Sequence, residues 1–381
     1  MFKFINTAKN SETGKRIKEK IFPNPPEPEF KMAMERFRAC DNIKKKSQMK
    51  REIYLYKKFW KCYPYDYFIN DLYRSDNQIT QEEIINYIPG FFWYELYLPH
   101  YTSYKYSEAI DNKIFTELFF NSLKIAQPEA LCMVINNRLY SSEMVKSSFE
   151  QILLDIKRKS PHKLFVKPTE SGAGRGIYIF NKSEGGQYSS HENVIFNENF
   201  LSMVGKSSDL IIQAGVEQDP EFSSIYPHSV NTCRIGTANM DGKSRVVCAM
   251  MRVGRSGKEI DNVSTGGLCT KIDINDGKLG DYAMSYDNQK FSEHPDTRFI
   301  FKNYKISRWN EIKKFASDSA DKLPHFAHLG WDITLTEKGP LAIEPNLSFG
   351  IEALQIANGG LRPAFSIDNP DYYWKNLGKR E

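Results

Sequence analysis

Apolar runs of strand length recur along the C-terminal two thirds of the chain. They predict strands at 164–168, 177–180, 210–213, 230–240, 245–253, 269–274, 330–336 and 341–346. Elsewhere the apolar positions fall at helical spacing. Phe149, Ile152, Leu153 and Ile156 predict a helix over 144–159, with basic residues at its C-terminal end, where they oppose the helix dipole. Trp309, Ile312, Phe315 and Ala316 predict a helix over 307–323, and another is expected over 111–120. The first hundred residues read as mostly helical. A short helix leads to a proline-rich linker at Pro23–Pro28, a basic helix spans 31–60, and Thr80-Gln81-Glu82-Glu83 forms a capping box. That box opens a short helix through Ile84, Ile85 and Ile88, which Pro89-Gly90 ends. Helices mixed with strands, and no internal repeat, predict an α+β fold of two lobes behind a helical N-terminal region.

The last two strand-like runs carry chemistry. Asp332 lies in Gly330-Trp331-Asp332-Ile333-Thr334, and Glu344 and Asn346 lie in Ile343-Glu344-Pro345-Asn346. The short turn Glu337-Lys338-Gly339-Pro340 between them predicts an antiparallel pair with Asp332 near Glu344. Glu344 and Asn346 are two residues apart and so share a face. Three oxygen donors on one face suit a hard cation such as Mg2+; by itself the pattern fits a solvated hairpin rim equally well.

Further upstream, Phe165-Val166-Lys167-Pro168 leads into Ser171-Gly172-Ala173-Gly174-Arg175-Gly176 and a second strand. Glycines let backbone amides approach a phosphate, and a strand lysine supplies a fixed positive charge. The run is not a Walker loop, since no Gly-Lys-Ser/Thr follows, and it opens no Rossmann helix. The kinase order, glycine loop before lysine, is reversed. Lys167 ends an apolar strand, where an unpaired charge costs several kcal/mol. Arg234 sits in an otherwise apolar strand and suits a transferring phosphoryl group or an acyl-phosphate, or else a salt bridge within the fold. Arg252, Arg255 and Lys258 approach the Asn262–Gly267 loop, as holders of an anionic substrate or as a charged hairpin rim. Asn262, Gly266 and Gly267 would shape a substrate pocket or form a plain turn.

This order of motifs resembles the ATP-grasp superfamily. The resemblance implies two α+β lobes with ATP in the cleft and Mg2+ held by Asp332, Glu344 and Asn346. It makes Lys113, in Ala109-Ile110-Asp111-Asn112-Lys113, and Lys167 the ATP-contacting lysines. Ser171, Gly172, Gly174, Arg175 and Gly176 would close over the β- and γ-phosphates. Gln213 and Val216, in Leu210-Ile211-Ile212-Gln213-Ala214-Gly215-Val216, would meet adenine, and Glu217 the ribose. Lobes are then expected at 101–209 and 210–360, preceded by the helical region 1–100 and followed by a tail at 361–381. A narrower resemblance rests on His228-Ser229-Val230-Asn231-Thr232-Cys233-Arg234-Ile235-Gly236-Thr237 and Asp261-Asn262-Val263-Ser264-Thr265-Gly266-Gly267. These are similar to signatures of the sugar-transfer-associated ATP-grasp branch, which is related to teichuronopeptide-type proteins. It implies a carboxylate–amine ligase working through an acyl-phosphate. Arg234 and Lys167 would act in catalysis, joining an amino acid or other amine to a uronic-acid carboxylate of a capsule or lipopolysaccharide. The superfamily also holds phosphotransferases acting on hydroxyls, and a non-catalytic ATP-binding scaffold is a third alternative.

Composition narrows the setting. The chain of 381 residues carries a net charge of +5, but residues 1–60 alone carry +9, leaving −4 for the rest. The basic cluster Lys44-Lys45-Lys46, Lys50-Arg51, Lys57-Lys58 precedes an aromatic run and suits a solvated helix face or peripheral contact with anionic lipid. No nucleic-acid-binding module accompanies it. The six cysteines show no metal-ligand spacing and read as buried thiols in a reducing compartment. Without a signal-like segment or a run of 18 apolar residues, a cytoplasmic protein is expected.

Overall fold

The computed structural model describes residues 27–376 apart from 173 and 241. Outside the described residues therefore lie the helix expected near the start, most of the proline-rich linker, Ala173 of the glycine loop, Asp241, and the tail beyond 376. The described residues form two compact units, one of residues 27–101, 286–290 and 350–376, the other of 102–285 and 291–349.

In the first unit the basic helix expected over 31–60 is two helices, Glu27–Ala39 and Lys46–Trp60. Lys44, counted with the solvated basic face, is buried instead. Its Nζ lies 3.1 Å from Glu52 Oε1, and Glu52 also accepts from the Tyr67 hydroxyl at 2.6 Å. The partners compensate for removing these charges from water. The Thr80–Glu83 box forms reciprocally, the Thr80 amide donating to Glu83 Oε2 at 2.6 Å, but opens only a 3-10 turn, Glu83–Asn86. Residues 361–376 are integrated into this unit rather than a free tail: the Trp374 indole donates to the Trp60 carbonyl at 2.9 Å, and Phe365 packs on Trp93. No helix among the described residues is long and apolar enough to cross a membrane.

The second unit carries two antiparallel sheets. The first comprises β1 (Ala130–Ile135), β2 (Arg138–Ser141), β3 (Lys163–Pro168), β4 (Tyr178–Lys182), β5 (Tyr188–Ser189) and β6 (Leu210–Ala214), in the order β2-β1-β6-β3-β4-β5. Asn136 and Asn137, at φ 49° and 58°, make the two-residue turn between β1 and β2; asparagine tolerates the left-handed region that such turns need. Helices α1 (Lys113–Leu123), α2 (Phe149–Lys159) and α3 (Glu198–Gly205) belong with this sheet. Ile152 and Ile156 of α2 and Phe200 and Leu201 of α3 bury against Leu164, Val166, Phe180 and Ile212. The second helix starts five residues later than expected, because Ser148 and Gln151 close a capping box there. The lobe boundary expected at 209/210 falls inside this sheet, since β6 pairs with both β1 and β3. Strand content alone does not reveal such long-range pairing.

The second sheet has seven strands, six of them β7 (Thr232–Met240), β8 (Lys243–Val253), β9 (Leu268–Lys271), β10 (Ala283–Ser285), β11 (His328–Thr336) and β12 (Gly339–Asn346), which neighbour one another in the order β10-β9-β8-β7-β11-β12. Helix α4 (Trp309–Asp321) buries Trp309, Ile312 and Ala316 in a core shared with Ile235, Trp331 and Ile333. Pairing registers set Glu344 opposite Asp332, Asp332 opposite Arg234, and Thr232 opposite Arg252. Polar residues thereby line up across four neighbouring strands.

Candidate active site

A cavity in the second unit is lined by residues of both sheets, among them Lys113, Lys167, Arg234, Arg252, Asp332 and Glu344. Helix α1 and strand β3 of the first sheet supply the lysines. Asn112 caps α1, accepting from the Ile114 amide at 3.0 Å, and so starts the helix at Lys113. Lys113 Nζ donates to the Ser171 carbonyl and lies 3.2 Å from Glu344 Oε1. Lys167 Nζ donates to Gln213 Oε1 at 2.8 Å across the β3–β6 pair, and Gln213 Nε2 donates to Glu117 Oε2 at 3.5 Å. Burial pulls the Lys167 ammonium down to about 8. Lys113 adds to that effect, while the carboxylates Glu344 and Glu117 oppose it. Glu117 is itself pushed up, chiefly by burial.

The second sheet supplies a network of alternating charge. Arg234 grips Asp332 with both arms of its fork, Nε to Oδ1 at 2.5 Å and Nη2 to Oδ2 at 3.0 Å. Arg252 reaches Asp332 Oδ2 at 3.2 Å and Asp261 Oδ1 at 3.0 Å through Nη2, and donates through Nε to Thr232 Oγ1 at 3.1 Å. Thr232 in turn donates to Asp261 Oδ2 at 2.5 Å. Burial raises the Asp332 carboxyl, but Arg234 and Arg252 outweigh it and hold the group below the usual range. Asp261 goes the other way: burial dominates, Asp332 adds to it, and Arg252 only partly offsets both.

The residues expected from sequence divide between cavity wall and surroundings. Lys113, Lys167, Ser171, Gly174, Gln213, Val216, Arg234, Arg252, Asn262, Asp332, Glu344 and Asn346 line the cavity, whereas Gly172, Arg175, Gly176, Glu217, Arg255, Gly266 and Gly267 do not. Glu217, expected at a ribose, is exposed and lies 3.2 Å from His162 Nδ1. Arg175 is exposed and folds back on the Gly172 carbonyl. Arg255 donates to the Gly266 carbonyl at 2.6 Å and stacks on Phe291, so its fork serves the loop. Gly267 packs so closely that a Cβ would sit 2.5 Å from the Asp261 carbonyl oxygen, and the Gly266-Gly267 pair builds the turn rather than the wall. Thr232, Glu259 and Asp261 line the cavity without having been assigned a role from sequence, and Glu117 stands behind it. Two of them carried a signal, Thr232 within the segment His228–Thr237 and Asp261 as the acid opening Asp261-Asn262.

Among the described residues no group of three or more His, Cys, Asp and Glu is placed to hold a metal. The donor set Asp332, Glu344 and Asn346 is two carboxylates and an amide on paired strands. Its oxygens have the donor chemistry that fits a hard cation, while the buried Asn346 Nδ2, which has no hydrogen-bond partner, is an N–H donor free for an anionic oxygen.

The profile of the sugar-transfer associated ATP-grasp family matches residues 94–367, and the chain belongs to that family. No curated protein sequence matches it. Solved structures with similar folds include D-alanyl-alanine synthetase A from Vibrio cholerae, at 13% identity and TM-score 0.39 over 71% of this chain and 65% of that one. Another is the ATP-grasp ligase PsnB complexed with minimal precursor, Mg and ADP, at 14% and 0.38 over 73% of this chain and 62% of that one. The chain thus spans less than two thirds of either structure's length. A third is carboxyaminoimidazole ribonucleotide synthase from Aspergillus clavatus complexed with ATP, at 12% and 0.37 over 65% of this chain and 47% of that one.

Proposed function

We propose that the protein is an ATP-dependent carboxylate–amine ligase. The observation that carries this reading is the convergence of Lys113, Lys167, Arg234 and Arg252 with Asp332, Glu344 and Asn346 around one cavity. Four cationic side chains and three oxygen donors suit a polyphosphate, its counter-cation and a second anion. Lys113 and Lys167 would neutralise phosphate oxygens, with Ser171 and Gly174 beside them. Gln213 and Val216 would meet the adenine. Asp332, Glu344 and Asn346 would hold Mg2+, which supplies charge neutralisation on the phosphates when bound.

The acid substrate's carboxylate oxygen attacks the γ-phosphorus; the bond to the β-bridging oxygen breaks, and ADP leaves. An uncharged amine then attacks the acyl carbon of the acyl-phosphate, the carbon–oxygen bond breaks, inorganic phosphate leaves, and the amine nitrogen loses a proton. Arg234 stabilises the transferring phosphoryl group and the acyl-phosphate; the chain's contribution is positioning and charge complementarity. Family membership favours a uronic acid of a surface polysaccharide or its precursor as the acid, with an amino acid or similar amine as acceptor.

The test is release of ADP and phosphate from Mg-ATP by the purified protein. Uronic acids and nucleotide-uronates are crossed with amino-acid pools, and Glu344→Ala serves as the blank. Phosphate release that requires both an acid and an amine, and that the variant lacks, is the expected result. ADP without free phosphate would identify a phosphotransferase instead, and bound ATP without turnover a scaffold.

A further inference from the structure

The arginine network contains one more acid than a metal site needs. Asp332 alone satisfies Arg234, yet Asp261 lies 7% exposed beside Arg252 and is tied to Thr232 as well. Burying an aspartate is costly unless its oxygens are engaged, and here both are: Oδ1 by Arg252 and Oδ2 by Thr232. Thr232 closes the ring by accepting from Arg252 Nε while donating to Asp261. The Arg252 guanidinium is therefore fixed at Nε and Nη2, and that of Arg234 at the same two nitrogens. Neither Nη1 group has a hydrogen-bond partner among the described residues, although both arginines line the cavity. A guanidinium clamped on one side presents its remaining N–H groups in a set direction.

We propose that Asp261 is a positioning residue, holding Arg252 beside Arg234 so that their two uncommitted Nη1 groups form a receptor for the carboxylate of the acid substrate. This rests on the ligase reading for the identity of its ligand, but the receptor itself is defined by the geometry. Asp261 touches no substrate; it acts through Arg252. Thr232 supports it by occupying the Nε edge that would otherwise let the guanidinium rotate.

The experiment uses the full chain labelled with 15N-arginine and loaded with Mg2+ and a non-hydrolysable ATP analogue. Acetate is the probe, with chloride at equal ionic strength as control, and the Arg234 and Arg252 side-chain resonances are followed. Acetate should shift both sets saturably, and Asp261→Asn should weaken its apparent affinity about tenfold, the loss expected when one charge-assisted contact is released. Thr232→Val, which keeps every charge, should give a smaller loss in the same direction should Asp261→Asn fail to fold. The double variant Asp261→Asn/Arg252→Lys should bind acetate no more weakly than Arg252→Lys alone, because the two residues act as one unit. Acetate shifts no larger than those of chloride, equal affinity in the folded Asp261 and Thr232 variants and the unaltered protein, or additive losses in the double variant would each overturn the proposal. Acetate binding needs no turnover. A protein that binds it through both arginines but never releases phosphate would sink the ligase reading while leaving the receptor standing, and the converse outcome would do the reverse.

Discussion

The two walls of the cavity hold their positive charges by different means. Lys113 and Lys167 rest on exchangeable partners, a backbone carbonyl and Glu344 for one and a neutral amide for the other. Arg234 is clamped at two nitrogens by Asp332, and Arg252 at Nη2 by Asp261 and Asp332 and at Nε by the Thr232 hydroxyl. An ammonium is a compact charge that can trade one acceptor for another, whereas a fork held at two points keeps its orientation. The lysine wall is therefore suited to a ligand that arrives and departs in every cycle, and the arginine wall to a group that must be presented at one angle.

The largest effect should come from the rigid side. Arg234→Lys retains the charge but loses the fork, and turnover should fall by about a thousandfold, as for removal of a preorganised electrostatic donor. ATP binding should survive, as measured by calorimetry. A loss confined to ATP affinity would erase the distinction between the walls. On the lysine side, Lys167→Met should reduce kcat/KM for ATP by about a hundredfold, seen mainly as a higher KM because a ground-state contact is lost.

The lysine wall should also respond to pH. With Lys167 drawn down to about 8, its ammonium is intact below that value and lost above it, so ATP affinity should fall as pH rises through about 8. Lys167→Arg, which stays charged, should show no such step. The smallest expected effect is at Glu117. Its carboxylate helps to hold Lys167 protonated, so Glu117→Gln should move that step to lower pH while leaving turnover at pH 7 within about twofold. A step that stays in place would mean that the buried acid behind Gln213 does not reach the lysine.

The hairpin carrying Asp332 and Glu344 was legible because a short turn between two apolar runs leaves one plausible pairing, and that pairing is present. The Lys167 strand was legible for a related reason, its apolar run ending in a charge. Glu117 was not, because an acid inside a helix looks the same on a solvated face as behind a sheet. Thr232 lay within the His228–Thr237 segment, but its contact could not be read there: it depends on standing opposite Arg252, and register between strands is set by contacts remote in sequence. The same limit hid the place of β6 between β1 and β3, and the integration of residues 361–376 with the helices of the first unit. Local patterns identified the elements and most of the charged groups; which acid holds which base is decided by neighbours the chain brings together only when folded.

The Arg234–Asp332 contact joins residues 98 positions apart, and Asp332 is bracketed by a strand from each side of that interval. Closing so long a loop loses chain entropy before any contact rewards it, so pairing of β7 with β11 belongs late in assembly. During synthesis the lysine strand emerges and can pair with its neighbours well before β11 and β12 leave the ribosome. A chain caught part-way would thus hold its lysines while Arg234 still lacked its Asp332 partner, and on the ligase proposal its site would be complete only once its final strands had arrived.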